Sequence, residues 1–353
     1  MTADIAKQLS TDDLKFNPPH FSEAVLHDFL QHHYGMAGDF KTLAGERDQN
    51  MQFTTRDRKR YVLKIAGPDE LDETVDFQIK SLLHLQVTDP GLTVPVQIKT
   101  TAGEQAAKIT DDNGQAHWVR LVSFVEGEPL DLHDHLNLDA IKAIGRITGR
   151  LCAALKGFEH PASKNFMPWD GLNGLIFSTE LREKYMPDDF KALAETHLQR
   201  LETDGVPRLL ALPHQVIHHD GHAGNVMCEV GNPAVVTGVI DFGDLIDRPI
   251  AMDISIVLTS VIEQGADILS ATTAMLEGYR EYTPIPDEQL ALLYDAVAVS
   301  YIIAVQLYSY RAQHHADDPE KIRQEDLAGT VDAARKFLEF DRAKFTAHIM
   351  SAN

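Results

Sequence analysis

The periodicity of this chain changes once, near residue 125, and that change limits the folds open to it. Before it, short apolar runs alternate with polar residues. Met51 and Phe53 precede a charged turn, Arg56 to Arg60, and the turn leads into Tyr61, Val62, Leu63, Lys64 and Ile65. Two β-rich runs parted by a polar turn predict a hairpin. Further strand signals fall at residues 94–98, 105–109 and 117–125, with Asn113-Gly114 as the turn between the last two. A first helix is expected over residues 22–33. Leu71, Val75, Ile79, Leu82 and Leu83 mark one face of another, opened by Pro68 and Asp69. The expected plan for this part is a helix packed on an antiparallel sheet. After Gly127, Ile141, Ile144, Ile147, Leu151, Leu155 and Phe158 form a helical stripe in which Gly145 and Gly149 permit close approach of a neighbour. Strand signals return only at 216–218, 225–228 and 235–240, and from Ala251 onward nearly everything reads helical. The reading is α+β: an arm over 1–20, a β-rich lobe over 21–125 and a mainly helical lobe over 126–353.

Composition narrows the class. With 353 residues, 44% of them hydrophobic, two lobes around a cleft are expected and wholesale disorder is excluded. The formal net charge of −21 argues against nucleic acid and anionic membrane as partners. It suits solubility, and equally a cationic substrate. Cys152 and Cys228 are too few for a disulfide framework or a Cys-based zinc site, so reduced thiols in a cytoplasmic protein are expected. The first residues, MTADIAKQLSTDD, lack the charged and apolar regions of a signal peptide, and no apolar run reaches the ~18 residues of a membrane span.

Three polar signals sit on this background. The densest is Val216-Ile217-His218-His219-Asp220-Gly221-His222-Ala223-Gly224-Asn225, a polar island after a short apolar run. The second is Gly238-Val239-Ile240-Asp241-Phe242-Gly243-Asp244, acidic at the end of an apolar strand. The third is Lys64, a lysine within an apolar strand. Each alone has a plain structural reading: a solvent-facing lysine, a turn aspartate, a metal-binding histidine run. In this order they match what phosphoryl transfer requires: a cation on the α/β-phosphates, Mg²⁺ ligands, and a carboxylate beside the attacking hydroxyl.

On these residues the chain resembles the aminoglycoside phosphotransferase / choline kinase branch of the kinase-like fold. The His-x-Asp-x-His-x-x-Asn loop (His218, Asp220, His222, Asn225) is that branch's mark. Asp48-Gln49-Asn50, Tyr61 to Ile65 and Val119-Arg120-Leu121 give a finer likeness to hydroxylysine kinase and related bacterial phosphotransferases. The resemblance implies a bilobal protein-kinase-like fold and a small-molecule kinase. Its acceptor would be an amino alcohol or a hydroxy-amino acid, hydroxylysine-like or homoserine-like. Asp220 would be the catalytic base, Asn225 and Asp241 the Mg²⁺ ligands, and Lys64 the group on the α/β-phosphates of ATP or GTP. Gly45 would meet phosphate through its backbone. The backbone of Ser123 and Val125 at the lobe junction would meet the purine edge. His218 and His222 would brace the catalytic loop. Between Gly243 and Asp253 there is no Ser, Thr or Tyr to phosphorylate, which favours a small-molecule acceptor; Asp253 is read as a cap for the next helix.

Two departures stand out. The loop from Ala44 to Asn50 has one glycine, and its Glu46 and Asp48 would repel phosphate if they pointed inward. Lysines of this kind usually pair with a helix Glu. Here Gln78 stands at the aligned position, and Asp76 is chosen as the partner of Lys64. Trp169 and Asp170 are candidates for holding a cationic amine; Tyr301, Tyr308 and Tyr310 line either the pocket or the core. Other readings are an aminoglycoside- or choline-type acceptor, a non-catalytic nucleotide-binding protein, and a His/Asp metal hydrolase. A homodimer is compatible with all of them.

Overall fold

The computed structural model describes Leu14 and residues 18–45, 47–133, 135–314 and 324–351. The arm expected over 1–20 lies outside the described residues, apart from Leu14 and 18–20, as does Glu46. The chain divides into two compact units. The smaller holds Lys15–Glu126 with His160–Ala162, and the larger holds Met1–Leu14, Gly127–Glu159 and Ser163–Asn353.

In the smaller unit, helix α1 (Glu23–Tyr34) starts at the Ser22 cap and stops at Gly35, whose φ of 65° releases the last turn. Strands β1 (Gly38–Leu43), β2 (Gln49–Thr55), β3 (Arg60–Ile65), β4 (Gln97–Ile98), β5 (Ala107–Thr110) and β6 (Ala116–Ser123) form one antiparallel sheet. Its order is β1-β2-β3-β6-β4, with β5 also on β6. Alternation works as expected: Met51, Phe53, Leu63, Ile65, Val119 and Leu121 turn to one face and pack on Leu26, Phe29 and Leu30 of α1. Helix α2 (Asp72–Thr88) begins later than expected. Pro68 lies instead in a turn closed by Glu70 N–H to Gly67 O, and Leu71 is 56% exposed. Val75 and Ile79 of α2 bury against Ala66 in a second cluster. Among its described residues the unit carries two α-helices, each with its own apolar contacts.

The larger unit opens with β7 (Glu128–Pro129), then α3 (Leu138–Leu155), α4 (Thr179–Lys184), α5 (Asp188–Arg200) and α6 (Val206–Leu210). Strands β8 (Gln215–Ile217), β9 (Val226–Glu229), β10 (Asn232–Val239) and β11 (Ile246–Arg248) follow. Helices α7 (Ile250–Glu263), α8 (Ile268–Arg280), α9 (Asp287–Ala291), α10 (Leu293–His314), α11 (Gln324–Leu338) and α12 (Arg342–Ser351) complete it. The fold class is the expected α+β. β10-β9-β7 form one small sheet and β11-β8 a two-stranded ribbon; β7 and β11 had no sequence signal.

The glycine stripe of α3 does what its spacing implied. A Cβ on Gly145 would stand 2.1 Å from Met275 O, and one on Gly149 2.3 Å from Tyr279 O. Gly278 returns the contact against Lys142 O, so α3 and α8 meet backbone to backbone. No helix among the described residues is long and apolar enough to cross a membrane.

Candidate active site

The ribbon β8–β11 carries the polar island. Ile217 pairs with Ile246 and Gln215 with Arg248, so the chain leaves β8 at a fixed point and turns through residues 218–225 before entering β9. Two residues on these loops, His219 and Asp241, hold positive φ (61° and 59°) without being glycine. Such conformations cost about 1–3 kcal/mol and persist only where surrounding bonds enforce them.

The enforcing bonds are visible. His219 N–H donates to Asp253 Oδ1 at 3.0 Å, and Ala223 N–H to Ser260 Oγ at 2.9 Å, both acceptors on α7. His218 is 1% exposed, stands edge-on to Phe242, and accepts the Asp220 N–H at Nδ1. Burial pushes its pKa down to about 4, so it is neutral at ordinary pH. His222 Nδ1 accepts the Gly224 N–H at 3.0 Å and caps the single turn Ala223–Asn225. Asp253 is not the helix cap expected of it: α7 begins at Ile250 after Pro249, and the buried carboxylate is spent on the loop. Burial raises its pKa to about 7.

Asp220 and Asn225 are brought together by the turn. Asn225 Nδ2 donates to Asp220 Oδ2 at 2.6 Å and to Asp220 O at 3.0 Å. That use of the amide nitrogen leaves Asn225 Oδ1 with no hydrogen bond among the described residues. Ile240 N–H donates to Asn225 O at 2.9 Å, which ties the start of the Asp241-Phe242-Gly243 turn to the same loop. Asp241 is exposed and accepts the Gly243 N–H. A free amide oxygen and an exposed carboxylate are hard donors, and they fit a magnesium ion that takes its remaining ligands from phosphate and water.

In the smaller unit, Lys64 is only 13% exposed, and its Nζ lies 3.9 Å from Asp48 Oδ2. Asp48 thus faces the lysine's charge. Gly45 is required sterically: a Cβ there would meet Asp48 O at 2.3 Å and Asn50 Nδ2 at 2.7 Å. Asn50 Nδ2 in turn holds Ala44 O at 3.1 Å, closing the loop from inside. Asp76 does not supply the partner expected for Lys64. Its carboxylate is bonded to Lys80 at 2.6 Å and to His160 at 3.0 Å. Gln78, at the aligned position, is buried and bonded to Arg120. Ser123 ends β6 with its N–H and Oγ both engaged by Val96, whereas Val125, buried, has no backbone hydrogen bond among the described residues.

The substrate candidates are corrected. Asp170 is fully buried, paired with Arg248 at 2.6 and 3.0 Å and bonded to Leu172 N–H, so its charge is already matched. Trp169 has the Arg311 guanidinium over its ring at 4.4 Å and Tyr308 edge-on at 5.3 Å; the cation on its face belongs to the protein. Tyr301 and Tyr310 are core residues.

Known proteins carry the same plan. Hydroxylysine kinase from Xenopus laevis is 23% identical over 327 residues, 85% of each chain. Among solved structures, an amicoumacin kinase in complex with AMP-PNP and Ca²⁺ superposes with a TM-score of 0.68 at 19% identity, covering 92% of this chain and 97% of that one. A microcompartment-associated aminopropanol kinase gives 0.68 at 16%, covering 94% and 98%. The fold is therefore the kinase-like one. The phosphotransferase enzyme family profile matches residues 39–285, a span that includes Lys64, Asp220, Asn225 and Asp241, and the chain belongs to that family.

Proposed function

We propose that this phosphotransferase moves the γ-phosphoryl group of ATP or GTP to a hydroxyl of an amino alcohol or hydroxy-amino acid, hydroxylysine-like or homoserine-like. The observation that carries the reading is the Asp220–Asn225 pair. One carboxylate oxygen is fixed at 2.6 Å by the amide nitrogen, and the other lies 3.6 Å from His222 Nε2. The Asp220 side chain remains 28% exposed, so a substrate hydroxyl can reach it. Asp220 then orients that hydroxyl and accepts its proton as the bond to phosphorus forms. Asn225 and Asp241 would hold Mg²⁺, which neutralises charge on the nucleotide phosphates. Lys64 would meet the α/β-phosphates and exchange its contact with Asp48 for them. The Ala44–Gly45 turn would offer backbone to phosphate, and Val125 its unused backbone groups to the purine. Hydroxylysine kinase and aminopropanol kinase, by name, act on alcohols that bear an amine, and the −21 charge suits a cationic acceptor.

A coupled kinase screen tests this directly. Hydroxylysine, homoserine, choline, ethanolamine, methylthioribose and aminoglycosides are offered with Mg·ATP and with Mg·GTP. An amine-bearing alcohol should be the best acceptor. Asp220→Asn should abolish transfer while nucleotide still binds, and Asp241→Ala should lose Mg-dependent nucleotide binding. Near-normal turnover in Asp220→Asn would sink the mechanism.

A further inference from the structure

We infer that Glu128, His133 and Cys228 form a site for one zinc-type divalent cation, separate from the phosphoryl-transfer residues. The three come from different stretches of the larger unit. Glu128 on β7 stands directly opposite Cys228 on β9, and His133 follows the single turn Leu130–Leu132. Cys228 Sγ lies 3.6 Å from His133 Nε2, and that nitrogen lies 3.1 Å from Glu128 Oε1. All three candidate ligand atoms fall within 4.8 Å of one another.

The sulfur–nitrogen and nitrogen–oxygen gaps suit a metal's requirements. With Zn–S near 2.3 Å and Zn–N near 2.0–2.1 Å at tetrahedral angles, sulfur and nitrogen stand about 3.6 Å apart, and nitrogen and oxygen roughly 3.3 Å. The donors are one sulfur, one imidazole nitrogen and one carboxylate oxygen. That set selects zinc-type ions over magnesium, which prefers oxygen throughout. The carboxylate is held in place: Gly231 N–H donates to the same oxygen, Glu128 Oε1, at 2.7 Å. Cys228 is fully buried, while the His133 and Glu128 side chains keep 20% and 25% of their surface. An ion can therefore enter from the histidine side and keep a water in its fourth position. Binding displaces the thiol proton of Cys228, now shared with Glu128 O at 3.4 Å, and leaves the thiolate on the metal. Cys228 lies three residues after Asn225 on the strand leaving the catalytic loop, so the ion would fasten β9 to β7.

The test uses the full chain stripped with a chelator. Zn²⁺ is titrated in competition with a chromophoric chelator, and Co²⁺ is titrated while the near-ultraviolet thiolate-to-cobalt band is followed. One ion per chain is expected, with a thiolate band that disappears in Cys228→Ser. In His133→Gln the affinity should fall at least tenfold; this partly exposed position also serves if Cys228→Ser does not fold. Asp241→Ala should keep both the stoichiometry and the band, which separates this site from the magnesium ligands. Absence of a thiolate band in the native sequence, or equal zinc affinity in the native chain and His133→Gln, would show that the three groups only hydrogen-bond to one another and would overturn the site.

Discussion

Replacing Asp253 by Asn should make the protein more stable at neutral pH without disturbing the catalytic loop. The carboxylate is 1% exposed, and its structural task is to accept the His219 N–H at 3.0 Å. An amide oxygen performs that task without a charge. Burial raises the Asp253 pKa from 3.8 to about 7, so the native state keeps this proton over a range where the unfolded chain has lost it. The contribution to stability is therefore present below about pH 4 and is lost as pH rises to 7. A shift of that size corresponds to roughly 4 kcal/mol. His218 works in the opposite sense. Its pKa falls from 6.5 to about 4, so its contribution is present above pH 6.5 and is lost as pH drops towards 4. The two slopes oppose each other in the parent protein, so its own pH profile isolates neither. The difference between parent and Asp253→Asn isolates one group. Urea unfolding at intervals from pH 4 to 8 should show that difference moving by several kcal/mol in favour of the variant. Asp253→Ala should behave otherwise. It leaves the buried His219 N–H without an acceptor, at about 1–3 kcal/mol, and releases the strained φ that sets Asp220, so kcat should fall at every pH while Asp253→Asn holds it. A parent–Asn difference that stays flat with pH would refute the assignment of a protonated, buried Asp253.

Two further outcomes follow from packing. Gly149→Ala should destabilise by about 2 kcal/mol, although helix propensity alone favours alanine by ~1 kcal/mol, because its Cβ meets the Tyr279 backbone at 2.3 Å and 2.8 Å; an unchanged urea midpoint would contradict the close α3–α8 approach. Asp295→Ala should cost about 3 kcal/mol, since this fully buried carboxylate binds Arg200 at 2.7 Å and Arg342 at 2.9–3.0 Å and so fastens α5 and α12 to α10; a loss below about 1 kcal/mol would show that the arginines satisfy themselves in solvent.

What the sequence made legible was whatever is decided locally. The β2–β3 hairpin, helix α1, the Gly145/Gly149 stripe and the Asp220–Asn225 pair all depend on residues close together in the chain, and each has a period, a turn signal or a short motif. Strands β7 and β11 are two and three residues long and have no period to read. The acids failed for a different reason. Asp76, Asp170 and Asp253 look alike in sequence, and what separates them is a partner 84, 78 or 34 residues away: His160, Arg248, or the His219 N–H. No local pattern distinguishes a carboxylate free to bind substrate from one already engaged by such a partner. The count of two cysteines excludes a site built from cysteines alone; it cannot show that Cys228 stands opposite Glu128, 100 residues away in the chain. Site residues set by topology are thus the ones a sequence reading assigns worst, because their partners are chosen by the fold and not by their neighbours in the chain.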